Sequence, residues 1–329
     1  MKRTQFDIRN LGIIVNPKAG AGNVANEKIA AKAIEKFSYC DIIRSNPVGR
    51  KGTMRIAAEL ASDVDAIMVV GGDGTMSDVA YSLFISGAST PILGIGAGST
   101  NAGPLITAKA KEIRQLDPHE FFIREVGGIL AVLNGGQEGL GFNDIVFGDT
   151  ILTTIKGKVV QVSAAEFMKG EKIPLLPSRA GSLRSNISIE RNGKTKLIHK
   201  GEFGQIFASP LEKRYLGKGL AGGTSLAAAL GLPSGIAITS EPLINYSIQQ
   251  EEFLEMEPIV TRTASFREGD EVIVCGLKDG TCLNIDGNPL AILKTDDEVR
   301  LRYIPCAARV LNINLSNSPV LFTGCPASK

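Results

Sequence analysis

Over the first hundred residues the apolar positions switch repeatedly between two periods. Residues 11–15, 42–43, 66–70 and 91–95 are short apolar runs, the pattern of strands buried on both faces. The stretches between them repeat their apolar positions every three to four residues. A helix is predicted over 24–37, with Ala25, Ile29, Ala33, Ile34 and Phe37 on one face. Thr53 is placed to cap a second helix, whose buried stripe is Ile56, Ala57, Leu60 and Ala61, and Val79, Leu83 and Phe84 mark the apolar side of a third. Short strands alternating with such helices predict βαβ units around a parallel sheet.

Past residue 109 the texture changes. Strand-like segments follow at 129–133, 141–147, 187–190, 203–208, 236–239, 271–275 and 299–304, with Asn192-Gly193, Asp279-Gly280 and Asp286-Gly287 as hairpin-type turn signals. The expected fold class is an α/β N-terminal domain with a parallel sheet (1–110) and a β-rich C-terminal domain (111–329). The last segment either stays with the second domain or returns to the first. At 329 residues the chain exceeds what one hydrophobic core usually supports, which agrees with two domains.

Composition removes several function classes. Thirty-six basic and thirty-four acidic side chains give a net charge of +2 with no basic stripe, and Trp is absent, so no nucleic-acid partner is expected. Cys40, Cys275, Cys282, Cys306 and Cys325 are scattered with no C-x-x-C pair, and the chain has two His, which excludes a standard zinc pattern. They read as small buried apolar residues in a reducing compartment. No apolar run of the secretory type follows Met1-Lys2-Arg3, and the longest uncharged stretch, 219–240, holds too few large apolar side chains for a membrane span. A cytoplasmic protein is expected, with 219–240 buried.

Candidate chemistry lies in three glycine-rich segments, 16–23, 71–75 and 94–101, each following a predicted strand. In an open parallel sheet they share the carboxyl rim, where ligands bind. Glycines there let the backbone approach phosphates and offer N–H donors. Standard nucleotide loops do not fit: 217–224 has Gly223 where a Walker A loop needs lysine, and 96–101 ends in Asn101 where a Rossmann fingerprint needs glycine. Asp73 is the unusual residue, a carboxylate among glycines. It suits a group that takes a proton from an attacking hydroxyl or helps hold Mg²⁺ on a triphosphate. The plainer reading is a helix cap, although Thr75 with Asp78 already offers a capping-box pair for the same helix.

The segment Gly71-Gly72-Asp73-Gly74-Thr75 after a buried strand resembles the signature of the superfamily joining NAD kinases, diacylglycerol and sphingosine kinases, and phosphofructokinases. Residues 13–22, 91–98 and 141–146 extend the likeness over about the first half of the chain. Within the superfamily the chain is similar to the ATP-NAD kinase group that includes the acetoin-catabolism X proteins, with Gly96 where that group carries proline. The resemblance implies a kinase that moves the ATP γ-phosphoryl group to the ribose 2′-hydroxyl of NAD with Mg²⁺ as cofactor. Asp73 would be the base. Asn16, Gly71, Gly72, Gly74, Thr75, Gly98, Ser99 and Asn101 would bind nucleotide or phosphate, and Asn143 and Asp144 would hold the dinucleotide. No protein ligand for the metal is assigned. A homo-oligomer, dimer or tetramer, is expected.

Two other readings stand beside this one. A lipid or small-alcohol kinase shares the loops, but the resembling lipid kinases carry Asp-Gly-Glu near the C-terminus with Glu as base, and here Asn288 follows Asp286-Gly287; an amide cannot accept that proton. The third reading is a nucleotide-binding protein without catalysis, against which Asp73 counts. Asn143-Asp144 also reads as an ordinary turn, Lys18 as a lysine beside a turn, and Glu166 and Glu202 as solvated surface.

Overall fold

Each of the four apolar runs forms a parallel strand, β1 (Asn10–Val15), β2 (Asp41–Ser45), β3 (Ala66–Gly71) and β4 (Ile92–Gly96). The computed structural model describes residues 6–313 apart from 18, 20–21, 46, 48, 99–100, 102, 156–157, 212–231, 242, 244–249 and 256–257. The chain divides into two units, Met1–Gly127 with Cys306–Lys329, and Gly128–Pro305.

In the first unit the strand order is β2-β1-β3-β4. The chain runs outward from β1 to β2, then returns past β1 to β3, so the direction of winding reverses between β1 and β3. That reversal opens a crevice at the carboxyl ends of these two strands. Helix α1 (Asn23–Ile34), continued by a 3-10 turn at Glu35–Phe37, follows β1; α2 (Gly49–Leu60) and α3 (Asp73–Ile85) follow β2 and β3. Ala30, Ala33 and Phe37 pack with Leu11, Ile13, Val15, Met68 and Val70 in one core, while α2 and α3 pack together.

Three local expectations change. Of the stripe expected on α1, Ala33 and Phe37 are fully buried and Ile29 and Ile34 pack partly buried against the same core, but the line is completed by Asn26 and Ala30, because Asn26 turns inward. Thr53 does not cap α2: the helix already begins at Gly49, and the buried Thr53 hydroxyl donates back to the Gly49 carbonyl at 3.1 Å. The first unit also reaches beyond residue 110. Ile113, Leu116 and Phe121 join its core, as do Leu311 and Ile313 from the end of the described chain. Strand β5 (Ala108–Lys109) pairs with β4, and β6 (Phe121–Leu133) carries the chain onward.

The second unit is built of antiparallel strands: β7 (Gln137–Gly141), β8 (Ile145–Gly148), β9 (Thr150–Ile155), β10 (Lys158–Ser163), β11 (Gly181–Arg191), β12 (Lys194–Lys200), β13 (Gln205–Pro210), β14 (Gly235–Ser240), β15 (Thr261–Phe266), β16 (Glu271–Leu277), β17 (Cys282–Ile285), β18 (Asn288–Ile292) and the first part of β19 (Glu298–Ile313). One sheet runs β12-β11-β16-β19, and another β15-β14-β13-β8-β17-β18. Alternate side chains from both, such as Ile187, Val272 and Leu301 against Phe147, Ile206 and Leu283, form a single core, as two packed sheets require. The run expected as one strand over 141–147 is broken, with residues 142–144 turning between β7 and β8. Asn192-Gly193 and Asp286-Gly287 both place two successive residues at positive φ, the turn that matches strand twist in a two-residue hairpin.

Cys282 is buried, Cys40 and Cys275 are partly so, and Cys306 is exposed, unlike the expectation for a small core residue; Cys325 lies outside the described residues. Of 219–240, the part from Gly235 forms β14, and most of the rest lies outside the described residues. Among the described residues no helix is long and apolar enough to cross a membrane.

Candidate functional site

The three glycine segments follow β1, β3 and β4, adjacent parallel strands, and meet at their carboxyl ends. Asn16 leaves β1 and donates its side-chain amide to the Thr75 hydroxyl at 2.7 Å, bridging the first and second segments across the winding reversal. Gly72 caps α3, and Asp73 is its first residue. Thr75 and Asp78 do not form the expected capping box. The Thr75 hydroxyl accepts from Asn16, and Asp78 pairs with Arg50 of α2 at 2.9 Å. Asp73 therefore stands inside the first turn, where a carboxylate is favoured by the helix dipole.

The third segment closes on the second. A Cβ on Gly98 would lie 2.8 Å from the Gly72 Cα, so only glycine permits this backbone approach. Asn101, at φ 48°, folds its side chain inward: Oδ1 accepts from the Gly98 N–H at 2.8 Å and Nδ2 donates to the Gly98 carbonyl at 2.6 Å. At Gly96, where the resembling group has proline, an added Cβ would stand 2.8 Å from the Asn101 Cβ. A side chain at position 96 would therefore displace the inward asparagine. Asp73 is tied to the chain just past this segment, its Oδ1 accepting from the Gly103 N–H at 2.9 Å. Asn16, Gly71, Gly72, Asp73, Gly74, Thr75, Gly98 and Asn101 are brought together; Ser99, Lys18 and Gly20 lie outside the described residues.

Two residues that sequence reasoning missed brace these segments. Asn26 of α1 is fully buried, and its amide donates to the carbonyls of Asn16 at 2.9 Å and Ala19 at 2.7 Å, holding the first segment from beneath. Arg124 of β6 donates to the carbonyl of Pro104, next to the Gly103 that holds Asp73. Neither carries a local signal, since a polar residue on a helix or strand reads as surface until its neighbours are known.

Asn143 and Asp144 belong to the second unit, in the 142–144 turn before β8. Asp286, from the β17–β18 hairpin, accepts the backbone N–H groups of Phe142, Asn143 and Asp144 at 2.9, 2.7 and 3.0 Å. On the other flank the Ser209 hydroxyl of β13 donates to the Asn143 carbonyl at 2.7 Å. Burial, and after it the neighbouring Asp286 carboxylate, pushes the Asp144 pKa up from 3.8 to about 6. Glu166 pairs with the exposed Lys169 at 2.8 Å, a surface role. Among the described residues no group of three or more His, Cys, Asp or Glu could hold a metal ion.

Residues 10–118 match the diacylglycerol kinase catalytic domain. An uncharacterized protein of Archaeoglobus fulgidus is 33% identical over 306 residues, 86% of this chain and 92% of its own length. A NAD kinase of Clostridium beijerinckii is 34% identical over 92 residues, 28% of this chain and 30% of that protein. Two solved structures share the fold at 14% identity. A diacylglycerol kinase from Bacillus anthracis str. Sterne has a TM-score of 0.53 over 94% of this chain and 98% of that one. Yeast NADH kinase complexed with NADH has a TM-score of 0.52 over 93% and 84%.

Proposed function

We propose that the chain is a kinase of the superfamily of diacylglycerol kinases and NAD kinases, on the match of residues 10–118 to the diacylglycerol kinase catalytic domain and of a 92-residue stretch to a NAD kinase, and that it moves the γ-phosphoryl group of ATP to an alcohol, the ribose 2′-hydroxyl of NAD. The observation that carries this reading is Asp73: a carboxylate in the first turn of α3, held at 2.9 Å by the Gly103 N–H among three converging glycine segments. In this reading the acceptor oxygen attacks the γ-phosphorus, its proton passes to Asp73, and the bond to the departing ADP breaks. Catalysis comes mainly from positioning and from the electrostatics of backbone donors.

Mg²⁺ bound with ATP would take most of its ligands from phosphate oxygens and water and would supply charge neutralisation on the phosphates, while Asp73 keeps the role of proton acceptor. Asn143 and Asp144 would bind the acceptor's hydroxyls. The choice of NAD over a lipid rests on Asn288, which follows Asp286-Gly287 where the resembling lipid kinases carry the glutamate base; the comparisons include both kinds of kinase.

The test is incubation with ATP, Mg²⁺ and a panel of NAD, NADH, diacylglycerol and small polyols. Phosphate on NAD supports the reading; phosphate on a lipid but not on NAD overturns the acceptor. Asp73→Asn keeps the shape and the Gly103 hydrogen bond but removes the proton acceptor. Its turnover is expected to fall by on the order of a hundredfold, with nucleotide affinity preserved. A folded Asp73→Asn protein with most of its activity would remove the base from this mechanism.

A further inference from the structure

The β17–β18 turn needs only two residues that accept positive φ, and Gly-Gly or Asn-Gly would serve. Asp286, at φ 49°, supplies more. Its carboxylate gathers three successive backbone N–H groups, those of Phe142, Asn143 and Asp144, at 2.7 to 3.0 Å, and its own N–H donates to the Asp144 carbonyl at 2.9 Å. Three consecutive amides turned toward one anion form an anion-binding nest, here filled by the protein's own side chain. The strands explain how the two turns meet: Ile285 pairs with Ile145, so the end of β17 lies beside the start of β8. The Ser209 bond to the Asn143 carbonyl fixes the same turn from β13.

We infer that Asp286 is a positioning residue for the acceptor, holding the 142–144 turn so that the Asn143 and Asp144 side chains are set for the acceptor's hydroxyls before it arrives. This rests on the reading of Asn143 and Asp144 as acceptor-binding groups. Bonds from amides to an ionised acceptor are roughly twice as strong as neutral ones, so they can hold a turn that would otherwise sample several shapes. Preorganisation of this kind lowers the entropy lost on binding and is read in acceptor affinity.

The experiment compares the full-length parent with Asp286→Asn and Asp286→Gly, both compatible with the turn. Two readouts are taken: amide hydrogen exchange over 142–144, and KM for ATP and for whichever panel acceptor the parent phosphorylates. The expected result is faster exchange confined to that turn and an acceptor KM raised on the order of tenfold, with kcat and the KM for ATP within about twofold. Faster exchange with an unchanged acceptor KM would make Asp286 a structural clamp only and overturn the inference, as would unchanged exchange. A parent that phosphorylates a lipid but not NAD overturns the acceptor proposed above, while the comparison of variants still decides the role of Asp286. A parent that phosphorylates nothing in the panel overturns both.

Discussion

Asp144→Asn should stabilise the protein at pH 8 and do nothing at pH 4. The wild-type carboxyl has its pKa pushed up from 3.8 to about 6, first by burial and then by the Asp286 carboxylate. The folded chain therefore holds this proton more tightly than the unfolded chain does. Its stabilising contribution is fully present below 3.8 and is lost as the pH rises through about 6. A rise of roughly two units corresponds to at most about 3 kcal/mol, and partial exposure of the residue lowers the expected gain to about 1–2 kcal/mol. Asparagine has nearly the same shape and no charge to bury, so the variant escapes the loss. For a unit of this size that is a rise in Tm on the order of 4 °C at pH 8. Urea and thermal melts of both proteins across pH 4 to 8 provide the assay. A gap that opens between pH 4 and 6 and stays constant above supports the reasoning. A parent as stable as the variant at pH 8, or a gap independent of pH, would refute it.

Gly98→Ala places a Cβ 2.8 Å from the Gly72 Cα and 3.0 Å from the Asn101 Oδ1, which forces the second and third segments apart. The KM for ATP is expected to rise on the order of tenfold with a small change in Tm, and an unchanged KM would show that the approach of these loops does not shape the nucleotide site. Asn26→Ala leaves the Asn16 and Ala19 carbonyls without their buried donor. A loss of about 2–3 kcal/mol by urea titration is expected, together with weaker ATP binding; a loss under about 0.5 kcal/mol would count against the bracing role.

Much of the first unit was legible because its signals are local. Runs such as 11–15 and 66–70 encode buried parallel strands by composition alone, and the glycines after them encode turns that approach a ligand closely. The doubly positive φ of Asn192-Gly193 and Asp286-Gly287 follows equally from the residue types. Local patterns misled where a distant partner competes. Thr75 and Asp78 have the spacing of a capping box, yet each finds a stronger partner outside its helix, Asn16 on β1 and Arg50 on α2. Asn26 breaks the apolar stripe of α1 because two carbonyls of the first loop lie over it.

Strand order is what the linear pattern leaves open. Periodicity says that a strand exists and which side chains share a face, but its neighbour is chosen by packing over the whole core. Only the order β2-β1-β3-β4 sets Asn16 beside Thr75, 59 residues apart. Only the pairing of β17 with β8 brings the Asp286 carboxylate to the amides of 142–144. The sequence by itself determined the four parallel strands and three helices of the first unit, the Asn192-Gly193 and Asp286-Gly287 turns, and the identity of Asp73 as the carboxylate among glycines. The tertiary structure decided which groups those side chains meet, because hydrogen bonds and Coulomb forces depend on distance in space, and that distance is set by register and strand order.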